Sequence, residues 1–344
     1  MQDGLPETQR AVILDGVVEK AEGLDACLKS DAEVPGVKTP LGPRQVLVRN
    51  EYAGVNFIDT YFRTGLYPKA APFGLGQEGA GEVVGVGSEV PETFTKLGDR
   101  VVYLGNPTYC EYSAVDADMC YAVPEGVALD DLLTLAVQGL TAQYLACETY
   151  PLSSDKVCLV QAAAGGTGQI LVQIAKALGA TVIGTCSSGK VEVAKSVGCD
   201  LVLPYDELSQ EEVVKRVKEA TDGKGVHVAY DGVGKKTYKM SMQCIRKRGM
   251  LVVFGNASGA TPPIDPLELT AQGSIYLTRP SLYGYLEGQE DLKRRMDMLV
   301  GWIKDGSIKV TVQEKLALEQ ASKAHHMLES GATKGKLLLT CNKL

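Results

Sequence analysis

From about Ala142 to Thr278 the chain alternates short apolar runs with helical patterns, and this alternation constrains the fold more than any other feature. "KVCLVQA", "TVIGT", "DLVLP", "VHVAYDG", "GMLVVFG" and "SIYLT" are strand candidates, rich in β-branched residues and bounded by turn formers. Between them, "QILVQIAKALG" sets Ile170, Leu171, Ile174 and Leu178 on one face and stops at Gly179. "SQEEVVKRVKEATDG" opens with Ser209 as a cap and ends in glycine. Six strands joined by crossover helices imply an α/β fold with a doubly wound parallel sheet.

The rest of the chain reads differently. Residues 1–137 are mostly β, with runs such as "QVLVRNEYAGV", "AGEVVGVG", "DRVVYLG" and "YCEYSAV" separated by glycine and proline turns. This part predicts a small, irregular barrel of short strands. After Thr278 come a helical pattern, "LKRRMDMLVGWIKDG", and a last strand, "GKLLLTCN", which are expected to return to the β-rich part. The chain of 344 residues has room for two domains. The expected division is 138–278 for the sheet domain and 1–137 with 279–344 for the other.

Charge and cysteine usage narrow the function classes. Acidic side chains outnumber basic ones, 42 to 35, and no basic–aromatic stripe occurs, which weighs against nucleic acid as a partner. "MQDGLPETQR" lacks the apolar core of a signal peptide, and no run of about 18 apolar residues predicts a membrane span, so a cytoplasmic location is expected. The nine cysteines form no CxxC pair, so they predict buried free thiols in a reducing compartment and no close-spaced structural zinc. His227 falls in a strand and His325 and His326 in a C-terminal helix, all read as structural or surface residues.

"AAAGGTG" places Gly165, Gly166, Thr167 and Gly168 between an apolar strand and an amphipathic helix, with Ala163 where a dinucleotide fingerprint has its first glycine. Glycines there permit a tight turn and close approach of backbone to a pyrophosphate, which the helix N-terminus attracts. In this context the turn predicts a Rossmann domain that binds a dinucleotide.

Together "GVNFIDTYFRTGLYP", "AAAGGTG", "GTCSSGK", "FGNASGA" and "LTRPSLYGY" resemble the NADPH-dependent quinone oxidoreductases related to zeta-crystallin, within the medium-chain dehydrogenase/reductase superfamily. The resemblance runs from about Val46 to Leu339. It implies a GroES-like catalytic domain beside the Rossmann domain, and reduction of a small quinone or enone by NADPH, by direct hydride transfer or by electrons passed singly. Zinc-dependent members of the superfamily carry a histidine before a glutamate and a cysteine in an earlier loop. Here Gln77 precedes Glu78, and the earlier stretch offers Asn56 and Asp59. An amide is a poor zinc ligand, so zinc-independent chemistry is expected.

The resemblance places "NFIDTY", read as a loop, against the nicotinamide. Asn56 would bond the carboxamide or a substrate oxygen, and Asp59, Tyr61 and Tyr67 complete the catalytic candidates, with Tyr61 a proton donor. Gly232, Phe254, Gly255 and Asn256 fall at strand exits, where ligands sit in doubly wound sheets, and are assigned to the cofactor together with Thr141, Thr278 and Arg279. At the end of the second strand, where NAD-specific sites keep a carboxylate, stand Ser187, Ser188 and Lys190, with Tyr205 after the third strand. Neutral donors and a cation there predict a site for a 2′-phosphate, hence NADPH. "GSIYLTR", residues 273–279, predicts an apolar edge strand that pairs with a second copy in a homodimer. The competing class is a cofactor-binding protein of structural or RNA-binding type, as in zeta-crystallin relatives.

Overall fold

The computed structural model describes residues 4–342, which divide into two units. One unit spans residues 138–285 and 301–309, the other residues up to 137 with 286–300 and 310 onward.

In the first of these, the six expected strands are present. They run Val157–Val160, Thr181–Cys186, Leu201–Pro204, Val226–Asp231, Ile245–Val253 and Tyr276–Thr278. All pair in parallel, in the order three-two-one-four-five-six. Their C-terminal ends therefore share one edge, where ligands sit in doubly wound sheets. The core of this unit packs Leu159, Ile183, Leu203, Ala229 and Leu251 from the strands against Val213 and Val217 from a helix. That helix, Gln210–Glu219, begins where Ser209 accepts a hydrogen bond from the Glu212 N–H at 3.2 Å.

Two expectations need correction. The helix Gly166–Ala177 buries Val172, Gln173 and Ala175 along with Ile170, Leu171 and Ile174, so it is covered on more than one face, while Leu178 is half-buried. Gln173 is accommodated because both ends of its amide bond the Lys309 backbone, at 2.8 and 3.0 Å. In the edge strand, Tyr276 is 60% and Leu277 38% exposed, but Ile275 turns into the core.

The other unit has a seven-stranded sheet. Its path runs Val312–Ala317, Lys336–Thr340, Gln45–Val55, Glu78–Val86, Arg100–Leu104 and Cys120–Ala122, with Tyr112–Asp116 also pairing on Gln45–Val55. A three-stranded sheet joins Leu28–Glu33, Thr8–Leu14 and Phe73–Gly74. Pairing is antiparallel except between Val312–Ala317 and Lys336–Thr340. The final strand thus lies against Gln45–Val55, which carries chain from the far end of the sequence to the "NFIDTY" segment. Among the described residues no helix is long and apolar enough to cross a membrane. No cysteine forms a disulfide among the described residues, and all but Cys147 and Cys199 are buried.

Candidate active site

The glycine turn is built by close packing. Ala162 takes a left-handed backbone (φ 53°) just after the first strand, and its carbonyl accepts the Gly165 N–H at 2.9 Å. A Cβ on Gly168 would collide with that same carbonyl and stand 3.0 Å from the Ala163 Cα, so only glycine lets the helix start this close to the strand. A Cβ on Gly166 would run into the Gln138 side chain. The helix of 12 residues then begins at Gly166, and its first N–H groups, from Gly166, Thr167 and Gly168, have no partner within the helix. Such a turn fits a pyrophosphate.

Beside it, the fourth and fifth strands end in stitched turns. The buried Asp231 carboxylate accepts from the Val233 and Gly234 N–H groups at 2.9 Å each, and from Thr237 and Ser241 at 2.8 and 2.7 Å. The Phe254 N–H bonds the Asp231 carbonyl at 2.9 Å. A Cβ on Gly255 would strike the Gly232 carbonyl, and one on Gly232 would come within 2.8 Å of the Phe254 ring. Gly232, Phe254, Gly255 and the nearly buried Asn256 are therefore neighbours. Thr278 closes the sixth strand, and the exposed Arg279 donates to the Pro280 carbonyl at 2.9 Å. Thr141 is half-buried in the helix Leu140–Tyr144, which continues into a π-helical turn, Leu145–Thr149.

At the end of the second strand the structure adds a residue that sequence reading missed. Ser187, Ser188 and Lys190 form the expected turn, and Tyr205, 53% exposed, stands beside it with its N–H on the Cys186 carbonyl at 3.0 Å. Burial and Asp206 push the Tyr205 hydroxyl up, while a hydrogen bond with Ser187 pulls it down. Ser188, however, does not present a neutral hydroxyl alone. Its N–H and hydroxyl both donate to Asp206, at 2.7 and 2.8 Å. The acid absent from the turn itself arrives from the neighbouring third strand.

In the other unit, "NFIDTY" is a helix, Phe57–Arg63, and not a loop. Asp59 explains why: its carboxylate accepts the Asn56 N–H at 2.8 Å and so closes the helix start. Asn56 is buried and its amide is engaged at both ends. Nδ2 donates to Glu78 Oε1 at 2.7 Å, and Oδ1 accepts from Lys336 Nζ at 2.8 Å. The Lys336 ammonium also pairs with Glu78, and both side chains are 0% exposed. The second Glu78 oxygen accepts the Val137 N–H at 2.6 Å. These two bonds hold the Asn56 amide in place and leave its second N–H and second lone pair outside the Glu78–Lys336 contact.

The other expected residues lie along this helix. Asp59 is fully buried; Oδ2 also accepts the Tyr109 hydroxyl at 3.0 Å, while Oδ1 has no hydrogen-bond partner among the described residues. Burial pushes its carboxyl up to about 7, against the pull of the Asn56 N–H, Tyr109 and Lys336. His325, a buried helix residue, meets the same Tyr109 hydroxyl at 3.2 Å through Nε2, and burial pushes it down to about 3. Tyr61 is 7% exposed and packs edge-on against Tyr67, 5.2 Å between ring centres. Gln77 turns its amide to the Gly76 carbonyl at 3.1 Å. Among the described residues no three His, Cys, Asp or Glu side chains gather as a metal site. Close to where the zinc branch keeps ligands, the Asn56 amide and the Glu78 carboxylate clasp the Lys336 ammonium. Glu78 and Lys336 were not singled out in the sequence; a lysine opening the apolar strand "GKLLLT" is the signal that points to them.

Two family models match: an alcohol dehydrogenase GroES-like domain over residues 42–154 and a zinc-binding dehydrogenase over residues 166–301. The chain is 44% identical to a quinone oxidoreductase of Pseudomonas aeruginosa, over 87% of this chain and 91% of that one. It is 36% identical to a 2-haloacrylate reductase of a Burkholderia species, over 95% and 99%. The solved structure of Escherichia coli quinone oxidoreductase complexed with NADPH matches with a TM-score of 0.87 at 39% identity, covering 96% of this chain and 99% of that one. On these matches the chain belongs to the quinone oxidoreductase family of the medium-chain dehydrogenase/reductase superfamily.

Proposed function

We propose that the protein reduces small quinones with NADPH. The observation that carries this reading is the end of the second strand, where the Tyr205 hydroxyl bonds Ser187 and the Lys190 N–H bonds the Ser187 carbonyl at 2.9 Å, a place that a dinucleotide fold presents to the adenosine ribose. When bound, NADPH supplies a hydride. The chain's own residues bind and orient. Gly165, Gly166, Thr167 and Gly168 hold the pyrophosphate, Ser187, Lys190 and Tyr205 the 2′-phosphate, and Thr141, Gly232, Phe254, Gly255, Asn256, Thr278 and Arg279 the remainder of the cofactor. Asn56, fixed by Glu78 and Lys336, and Asp59 set the helix that carries Tyr61. Tyr61 gives a proton to the acceptor oxygen, with solvent as its substitute, and Tyr67 packs beside it. No Lewis acid is required, because a quinone accepts a hydride readily.

A second substrate class, enals and enones reduced at the carbon–carbon bond, is supported by the likeness to 2-haloacrylate reductase across nearly both chains. Turnover of NADPH with a panel of ortho- and para-quinones and simple enals tests both. Quinone turnover supports the first reading, and turnover of enals alone supports the second. Cofactor binding without any turnover would move the protein to the structural or RNA-binding class. The same reading includes a homodimer through the exposed edge strand Tyr276–Thr278 and a cytoplasmic location, in keeping with nine cysteines outside any disulfide. Light scattering at micromolar concentration that reports only a monomer refutes the dimer.

A further inference from the structure

The corner that receives the 2′-phosphate in the reading above contains an anion of its own. Asp206 follows Tyr205 directly, and the sheet order sets the third strand beside the second, so the acid reaches the serine turn across the sheet edge. Its two oxygens take separate donors of Ser188, the N–H at 2.7 Å and the hydroxyl at 2.8 Å. It is exposed. A second observation sets it among the same groups. The Cys186 thiol, at the last position of the second strand, feels burial first, then the Asp206 carboxylate raising it and the Lys190 ammonium lowering it.

We propose that Asp206, while it holds the Ser188 donors, is a selectivity residue that weakens the preference for NADPH over NADH by setting a carboxylate beside the 2′-phosphate. The inference rests on the NADPH reading of this corner. Two effects oppose each other here. Asp206 orders the turn, which favours any ligand the turn holds. Its charge repels only the ligand with the extra phosphate, which carries nearly two negative charges. The first effect acts on both cofactors through a shared turn, and the second on one. The ratio of affinities therefore reports the charge. Both partners are exposed, so the repulsion is modest and screened by salt.

The test is the dissociation constants of NADPH and NADH, by titration calorimetry, for the native protein and Asp206→Asn at about 50 mM and about 500 mM sodium chloride. Asparagine keeps an acceptor for the Ser188 N–H and removes the charge. The NADPH-to-NADH affinity ratio is expected to rise about fivefold at low salt, with NADH affinity nearly unchanged, and the gain to shrink at high salt. A ratio that stays constant or falls, in a native protein that prefers NADPH, overturns the role of Asp206 alone and leaves it a scaffold of the turn. A native protein without any NADPH preference overturns the cofactor reading itself, and this proposal with it.

Discussion

Two charged clusters sit at strand ends in this protein, and they differ in their exposure to water. Lys336, Glu78 and Asn56 form a closed set: ammonium, carboxylate and amide satisfy one another with both charged side chains fully buried. Ser187, Ser188, Lys190, Tyr205 and Asp206 form an open set, with Tyr205 half in water and Ser188 and Asp206 exposed. A buried charge must have its partner inside the protein, whereas an exposed one is stable without any ligand and remains available to it. Damage to the closed set should thus be read in stability, and damage to the open set in ligand choice.

The largest effect is expected from Lys336→Met. It leaves Glu78 charged and buried, and about 3–5 kcal/mol of stability should be lost in urea denaturation. The double variant with Glu78→Gln should recover most of it. A single variant as stable as the native protein would show that the cluster is not closed.

Asp59 offers a second way to break the contrast, through pH. Its carboxyl is raised in the folded protein to about 7, above the roughly 3.9 of an unfolded chain. The folded state binds its proton more tightly, so this group favours folding at low pH. That contribution is lost as pH rises from about 4 to about 7, by up to about 1.4 kcal/mol per pH unit. Asp59→Asn carries no such charge, so its melting temperature relative to the native protein should climb between pH 5 and pH 8. A constant difference over that range would mean that the carboxyl titrates normally.

Substitutions in the open set and of Tyr61 should act on kinetics with the fold intact. Lys190→Ala is expected to reduce the NADPH-over-NADH ratio in kcat/KM about tenfold, roughly 1.4 kcal/mol of differential binding, with an unchanged melting temperature. Equal losses for both cofactors would place Lys190 outside the phosphate's reach. Tyr61→Phe should give the smallest change, a severalfold drop in kcat on quinones with NADPH affinity nearly constant. A complete loss would show that solvent cannot replace the hydroxyl.

The same contrast explains what was legible in the sequence. The six strands and the Ser209 cap could be read because each is written in a contiguous run, as apolar clustering or as a cap next to its helix. The glycine turn was legible for the same reason. Lys336 was not, because its partner Glu78 lies 258 residues away and only the pairing of the last strand with Gln45–Val55 brings the two together. Asp206 escaped because sequence order hides the neighbouring of the second and third strand ends. "NFIDTY" passed for a loop because its seven-residue helix is too short to show a periodicity, and its cap depends on Asp59 turning back to the Asn56 N–H.

The central claim, that the open corner of the sheet unit selects a 2′-phosphate, is tested most directly by kcat/KM for NADPH and for NADH in the native protein with one quinone as acceptor. A preference for NADPH of at least about tenfold is expected, since charge-assisted hydrogen bonds contribute roughly 1.5–3 kcal/mol each and Asp206 offsets part of that. Equal use of the two cofactors, or a preference for NADH, would contradict it.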